Sequence, residues 1–511
     1  MVKKEYKSQD SHELIFFAGM SRACAKVQLS PLFTPPPERS EDILELGELE
    51  ISVAPTAVGD VRLQGPSDLY GRSRKRRSEV RCRHSRLGIV AALLLTACTQ
   101  NIYSQKPPPA DLKGTVLVGY QGWFRCPGDG SPGNGWSHWS KGTPTPDSMS
   151  VDLYADTSEL DSKSLCQLPA ATINGKPAYV FSSFPKKTTE KHFKWMQSYG
   201  IDGALVQRFI NSIPRLKNEA DVVLKNVRAA AEDHNRVFAV EYDLTGARSD
   251  TVFRQLQDDW TYLKELRIPS SRAYLQLNGR PVVSLWGLGF RDGRHVVDPV
   301  LALQIILWFK QQAHAAVIGG VPSGWGSLSG DSTVDPQWAK VYAALDVVQP
   351  WTVGRYKNLD AADQWKSSHL MPDLKLAEKN HQLYMPVIFP GFSWHNLNPG
   401  SPENQIPRLG GEFMWKQAYN ARTAGAPMLK IAMFDEVNEG TAIFKAVSTR
   451  DEAPKPGYWL TLDADGRKLP ADWYLRIAHQ ISRMFHGKIK PTSKLPLKPS
   501  AASPGLRPRA N

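Results

Sequence analysis

Three carboxylates crowd one short stretch of this chain: Asp435, Glu436 and Glu439, within Met433-Phe434-Asp435-Glu436-Val437-Asn438-Glu439-Gly440-Thr441. They follow an apolar run, Leu429-Lys430-Ile431-Ala432-Met433-Phe434, that reads as a buried strand. The acids therefore lie where a strand ends and a loop begins, and burying charge there is costly unless it is paired or used. Glu436 and Glu439 are three residues apart in a turn, so their carboxyl groups can converge on one small volume. One proton donor beside one base is what glycoside hydrolysis requires, and the carboxyl ends of barrel strands are where such pairs sit. A loop of solvated acids, or an acidic first turn of a helix, would look the same on this segment alone. The rest of the chain has to decide between these readings.

The elements that must position the acids alternate. Apolar extended runs at 115–120, 179–182, 201–207, 237–242, 315–320, 346–351, 383–389 and 429–434 are separated by stretches with helical spacing. Those helical stretches are expected at 188–200 (capped by Thr188 or Thr189), 221–234, 251–266, 300–314, 336–345, 361–380 and 411–424. Asn278-Gly279 between 273–277 and 281–286 is a strong signal for a type I′ hairpin. Strand–helix alternation repeated in this way points to parallel strands with crossover helices. A (β/α)8 barrel, which needs about 250 residues or more, fits residues 112–486, with 446–486 closing it. The alternative is a doubly wound open sheet, but no Gly-rich dinucleotide fingerprint follows the first strand. The Gly-rich stretch 128–135 lacks the Lys-Ser/Thr ending of a phosphate loop.

In a barrel the residues just past each strand face the active site. Here they are Tyr120 and Trp123 after the first strand, Gln207 and Arg208 after the next long one, then Glu241, Tyr242 and Asp243, then Trp286, Trp351, Trp394 and His395, and finally Asp435, Glu436 and Glu439. Aromatic faces beside carboxylates, Gln and Arg describe a sugar cleft, because sugars present both C–H faces and hydroxyls. A salt bridge from Glu241 or Asp243 to Arg208 across the barrel is the structural alternative for those acids. His192, His295, His314, His369 and His395 are scattered without metal-ligand spacing, so neither a metal nor an organic cofactor is expected.

Tyr120-Gln121-Gly122-Trp123-Phe124, Gly200-Ile201-Asp202-Gly203, Phe389-Pro390-Gly391-Phe392-Ser393-Trp394 and Phe434-Asp435-Glu436-Val437-Asn438-Glu439-Gly440-Thr441 together resemble glycoside hydrolase family 99, the endo-α-mannosidase and endo-α-mannanase family, over roughly residues 115–445. The resemblance implies a (β/α)8 barrel that acts with retention. The family motif Glu-Trp-His-Glu-Gly-Thr matches Glu436, Val437, Asn438, Glu439, Gly440 and Thr441. By that match Glu436 deprotonates the substrate's own 2-hydroxyl, which attacks the anomeric carbon. Glu439 protonates the leaving oxygen and then activates water. The family's Trp and His are Val437 and Asn438 here, and Asp435 replaces an Asn, so the acids persist while the lining changes. The segment also resembles the Asn-Asp-Tyr-Gly-Glu-Ser motif of family 71, the fungal α-1,3-glucanases, with Glu436 and Glu439 on its Asp and Glu. The expected substrate is an oligo- or polysaccharide. A non-catalytic carbohydrate-binding lipoprotein on the same scaffold is the competing expectation.

The ends of the chain read as address and tail. Arg81, Arg83 and Arg86 precede an apolar run that ends Leu95-Thr96-Ala97-Cys98. This is the order of a secretory signal, 81–98, with a lipobox-like cleavage point. Cys98 is then the lipidated residue, anchoring an exported protein to a bacterial membrane, with 99–111 as linker. Residues 1–80 show no sustained period and are expected to be disordered or an over-extended reading frame. The 487–511 tail, with six Lys or Arg and no acid, is Pro-rich and expected to be disordered. It supplies six of the net +13 charges. No basic stripe coincides with an aromatic platform, so nucleic acid is not an expected partner. After the proposed cleavage Cys126 and Cys166 remain able to pair in an oxidising compartment, although nothing in the sequence fixes their distance. Sequencing the N-terminus of the native precursor tests the start expected near residues 80–87, and recovery from cells of a peptide from 10–60 would overturn it.

Overall fold

The computed structural model describes residues 111–499. The 1–80 segment, the signal with Cys98, the linker before residue 111 and residues 500–511 lie outside the described residues. The first strand, β1 (Val116–Tyr120), is buried along its whole length, as a parallel strand covered on both faces must be. There follow β2 (Leu165–Ile173), β3 (Lys176–Phe181), α1 (Lys186–Ser198), β4 (Gly203–Phe209), α2 (Ile213–Asp233), β5 (Val237–Asp243) and α3 (Val252–Glu265). Next come β6 (Gln276–Leu277), β7 (Arg280–Trp286), α4 (Pro299–Gln311), β8 (Ala316–Val321), α5 (Trp338–Ala343) and β9 (Val347–Pro350). The last part holds α6 (Leu359–Trp365), α7 (Met371–Lys379), β10 (Leu383–Tyr384), β11 (Val387–Ile388), α8 (Glu412–Thr423), β12 (Leu429–Ile431) and α9 (Trp473–Phe485).

The main sheet runs β10-β9-β8-β7-β5-β4-β1-β12-β11, and every neighbour on that path is parallel. Its two ends, β10 and β11, are one strand interrupted at Met385-Pro386. Met385 N donates to Val348 O (2.9 Å) on one side and Lys430 N donates to Pro386 O (3.0 Å) on the other. The ring therefore closes, and the open doubly wound alternative is excluded. Proline has no N–H for the ladder, which accounts for the interruption in a stretch expected to be one strand.

Other differences from the sequence reading have local causes. The 179–182 stretch belongs to β3, which pairs antiparallel with β2 outside the ring; its partly exposed pattern is that of a hairpin with one wet face. Helix α1 begins at Lys186, so Thr188 and Thr189 are buried inside it rather than capping it. Thr188 Oγ1 instead donates to Ser182 O (2.6 Å). Helix α2 begins at Ile213 with Pro214 in its first turn, a position that spares proline's missing donor. The Asn278-Gly279 turn is present with both residues at positive φ, 51° and 75°. Strand β12 stops at Ile431, and Phe434 N reaches Gly119 O (2.8 Å) beyond the ladder. Residues 487–499 do not form a disordered tail. Trp415 Nε1 donates to Thr492 O (2.9 Å), and Ile489, Leu495 and Leu497 pack on the core. Three aliphatic anchors outweigh an ordering cost that the prolines already reduce.

Cys126 and Cys166 are disulfide-bonded, tying the loop after β1 to β2. At the opposite pole Asp202, just before β4, accepts from Val116 N (2.8 Å) and meets His486 Nε2 (2.9 Å). The start of β1 and the end of α9 are thus joined through one carboxylate.

Inside the ring, a lone charge in an apolar strand finds its partner. Lys430 Nζ lies 2.7 and 2.8 Å from the two oxygens of Glu241 and 3.1 Å from Gln349 Oε1. Ser284 Oγ donates to the same Glu241 carboxylate (2.8 Å). Both charged side chains are fully buried. Breaking such a pair by removing one partner costs about 3–5 kcal/mol, whereas replacing both with apolar groups can be neutral. Lys430→Met alone should lower the unfolding free energy by that amount, and adding Glu241→Leu should recover most of it in denaturant titrations. Reduction, or Cys166→Ser, should cost about 4 kcal/mol for a loop of this length, read in the same titrations.

Candidate active site at the mouth of the barrel

The acidic loop leaves β12 at the carboxyl end of the ring and is held by N–H groups. Asp435 is fully buried. Its two oxygens accept from Gln121 N (2.8 Å) and Gly122 N (2.9 Å), just past β1. Glu436 Oε1 accepts from Asn438 N (2.7 Å) and Glu439 N (3.3 Å), and its Oε2 accepts from Gln121 Nε2 (3.0 Å). Burial pushes the Asp435 carboxyl up to about 6. Burial, then the charges of Glu439 and Asp435, push Glu436 well above the ordinary range. Burial pushes Glu439 up to about 8. Two interacting carboxyls of this kind share a proton across neutral pH. Three N–H donors reach the Glu436 carboxyl, an arrangement that stabilises its charged form.

Walls from two other loops brace this turn. Ser393 N donates to Glu439 O (2.9 Å), which fixes the loop carrying Trp394 and His395 beside the acid. That loop is gathered by the buried carboxylate of Asp152, which accepts from Ser393 Oγ (2.5 Å), His395 N (2.8 Å) and Asn396 N (2.8 Å). His395 Nδ1 lies 2.7 Å from Ser401 O, and Trp394 packs edge-on against Phe392. Arg408 Nη2 donates to Gly440 O (2.7 Å) and Ala442 O (2.8 Å). Asn438 Nδ2 donates to His138 O and Ser150 O, both at 2.7 Å, clamping the loop after β1 onto the acidic turn. Gly440, at φ +60°, leaves no room for a Cβ against Ser393, so the turn between Glu439 and Thr441 requires glycine.

Strand parity sorts the remaining predicted residues, because neighbours along a strand face opposite sides. Gln207, Glu241 and Asp243 face inward. Asp243 is buried and raised to about 6 by that burial, with Thr245 N on its Oδ1 (2.8 Å). Trp286 and Trp351 meet edge to face at 5.5 Å, with Lys430 Nζ 5.6 Å from the Trp351 ring. Three expected site residues turn outward to the helices. Arg208 pairs with Asp259 (2.6 Å) and Asp221 (2.8 Å), Tyr242 Oη donates to Asp259 (2.8 Å), and Tyr120 Oη lies 3.0 Å from His192 Nδ1 on α1. The expected salt bridge from Glu241 to Arg208 is replaced by the one to Lys430. Trp123 is at the mouth, but both of its faces are covered, by His138 (3.8 Å, 5° between planes) and Phe209 (5.0 Å, 22°). It cannot offer a face to a sugar.

Sequence reasoning placed Gln121 at the end of the first strand but missed Asp152, Arg408 and Lys430 as parts of this arrangement. Lys430 carried a readable signal as a single charge within an apolar strand. Asp152 and Arg408 carried none, since long loops bring them in. Gln121 Oε1, Gln207 Oε1 and the indole N–H groups of Trp123, Trp286 and Trp351 are buried without a protein partner, and each such group needs a polar ligand or water. Among the described residues no group of three His, Cys, Asp or Glu is disposed to hold a metal ion.

No protein-family model and no curated protein matches the chain. Solved structures do. The GH99 endo-alpha-mannosidase from Bacteroides thetaiotaomicron in complex with Bis-Tris propane aligns with TM-score 0.53 and 16% identity, covering 74% of this chain and 98% of that one. A second structure of the GH99 endo-alpha-mannosidase from the same organism aligns with TM-score 0.52 and 15% identity over the same shares. Both matched structures are of a glycoside hydrolase, and at this identity what the chain shares with them is the fold: it is a (β/α)8 barrel.

Proposed function

We propose that the protein is a glycoside hydrolase that cleaves an α-linked, α-mannoside-like glycan with retention, in the interior of an oligo- or polysaccharide. The observation that carries this reading is the Glu436–Glu439 pair: two carboxyls, Glu436 buried and Glu439 part-buried, three residues apart at the carboxyl end of a barrel strand, with the N–H donors gathered on Glu436. Glu439 is the acid that protonates the leaving oxygen and later the base that activates water. Glu436 is the base toward the substrate's 2-hydroxyl. Keeping the proton on Glu439 at neutral pH is what a general acid needs, and burial supplies it. The buried indole N–H groups and Gln oxygens at the mouth suit hydroxyl-rich ligands, and the matched barrels belong to glycoside hydrolases. Val437 and Asn438 stand where the resembled motif has Trp and His, so the sugar bound beside the acids differs in its contacts. Asn438 supports the alternative in part, because it spends its amide on the protein rather than on a ligand. In that reading the barrel binds carbohydrate without cleaving it. The proposal includes export and a lipid anchor at Cys98, resting on the order of segments from Arg81 to Cys98.

Incubation with α-mannans, α-1,3-glucans and other α-glucans should release new reducing ends. Glu439→Gln should reduce the rate at least a thousandfold, within the range for loss of acid–base catalysis, while glycan binding persists. Binding without turnover in the wild-type protein would select the carbohydrate-binding alternative. Activity should fall as pH rises through about 8, where Glu439 loses its proton. The stability consequence has a definite sign. A carboxyl raised above its unfolded value favours the fold below that unfolded value and loses the contribution as pH rises through about 8. Glu439→Gln, which keeps the shape and never ionises, should therefore melt a few degrees higher than wild type above pH 8. An unchanged or lower melting temperature there would count against a buried proton on Glu439.

A further inference from the structure

Gln121 sits one residue beyond β1, between two of the three acids. Its backbone N–H and that of Gly122 are both spent on Asp435, at 2.8 and 2.9 Å. Two successive N–H groups can aim at one carboxylate because Gly122 takes φ +62°, where a Cβ would also strike Val223 Cγ1 at 2.7 Å. The Gln121 side chain then lies over the neighbouring acid, with Nε2 donating to Glu436 Oε2 at 3.0 Å. A primary amide is asymmetric: a carboxylate takes only its N–H end. Its other end, Oε1, is thereby turned away from Glu436, where it is buried and has no protein partner. An acceptor in that position costs about 1–3 kcal/mol until a donor arrives. A sugar hydroxyl next to the one that Glu436 addresses is such a donor, and it can accept from other groups at the same time.

We propose that Gln121 is a further catalytic residue of this site: its Nε2 holds the Glu436 carboxylate while its Oε1 accepts a hydrogen bond from a substrate hydroxyl, and Asp435 is the positioning residue that sets it there. The substrate half of this inference rests on the glycoside hydrolase reading; the link to Glu436 does not. The substrate class it selects is a polyol with two adjacent free hydroxyls at the cleaved residue, one facing Glu436 and one facing Gln121.

The two residues act on Glu436 with opposite signs, which separates this role from a structural one. Gln121→Leu removes a donor from the charged carboxylate, so Glu436 should titrate higher and the ascending limb of the pH–rate profile should move up. Asp435→Asn removes a neighbouring negative charge, so the limb should move down. Both variants should lose about a hundredfold in kcat, the scale for a lost preorganised hydrogen bond. Wild type and both variants would be assayed on whichever of the α-mannans and α-glucans the wild type cleaves. Their Glu436 carboxyl would be followed by NMR with carboxyl-labelled glutamate, with thermal melts to confirm folding. Shifts in the same direction, or an unmoved limb and kcat in Gln121→Leu, would overturn the assignment. On a monodeoxy substrate analogue lacking the second hydroxyl the penalty of Gln121→Leu should shrink to the part that comes from Glu436, and an undiminished penalty there would refute the Oε1 contact. Failure of the wild type to cleave any polymer would remove the glycoside hydrolase reading and the Oε1 contact with it. The NMR titration would still decide the Glu436 link, sustained by an upward shift in Gln121→Leu and overturned by none.

Discussion

Three carboxylates within five residues, two buried and the third, Glu439, part-buried, repel one another's charge, and the mouth of this barrel is arranged around that constraint. Each acid is met differently. Asp435 takes two backbone N–H groups from the end of β1. Glu436 takes two from its own turn and one from the Gln121 side chain. Glu439 is held through its backbone, with Ser393 N on its carbonyl and its own N–H on Glu436, and burial pushes its carboxyl up to about 8. The result is a gradient of charge along one loop, set by where the donors are. The direct pairing of β1 with β12 sets the end of one beside the end of the other, so the electrostatics of the acids depend on that pairing.

How much of this was legible in the sequence follows from the range over which each pattern acts. The apolar runs and helical spacings located the ring strands and their crossovers to within a few residues, because burial on both faces leaves a continuous signature. The acidic pair was legible for the same reason, as charge at the end of such a run. Side-chain direction was not. Gln207 and Arg208, or Glu241 and Tyr242, stand together at a strand end, yet a period of two sends one to the cavity and the other to the helices. The parity could be assigned only once Lys430 was seen to meet Glu241 across the ring. Trp123 shows a further limit. Its position was correct, but the stacking of His138 and Phe209 on it comes from a long loop and from a neighbouring strand. The His138 imidazole in that stack is lowered to about 3 by burial, so it packs as a neutral ring.

The substitutions that set this loop apart from the motif it resembles have structural uses. Val437 is fully buried, and its carbonyl accepts from Asp152 N and Leu153 N. Asn438 reaches two carbonyls of the loop after β1. Together they stitch the acidic turn to the 137–154 segment, the segment that also carries Asp152 and through it the loop with Trp394 and His395. Residues that in the resembled motif are bulky and aromatic are here small connectors. The frame around the acids is thereby stiffened.

Asp202 binds both the first strand and the residue following the last helix, at the pole of the ring away from the acids. The barrel is therefore mounted by one pole. Asp111 lies at that same pole, bridged to Gln276, so a solid support coupled to it would leave the approach of a bulky polymer unobstructed. The same adjacency makes the ring nearly endless as a path. A short bridge across Asp202 would join its beginning to its end.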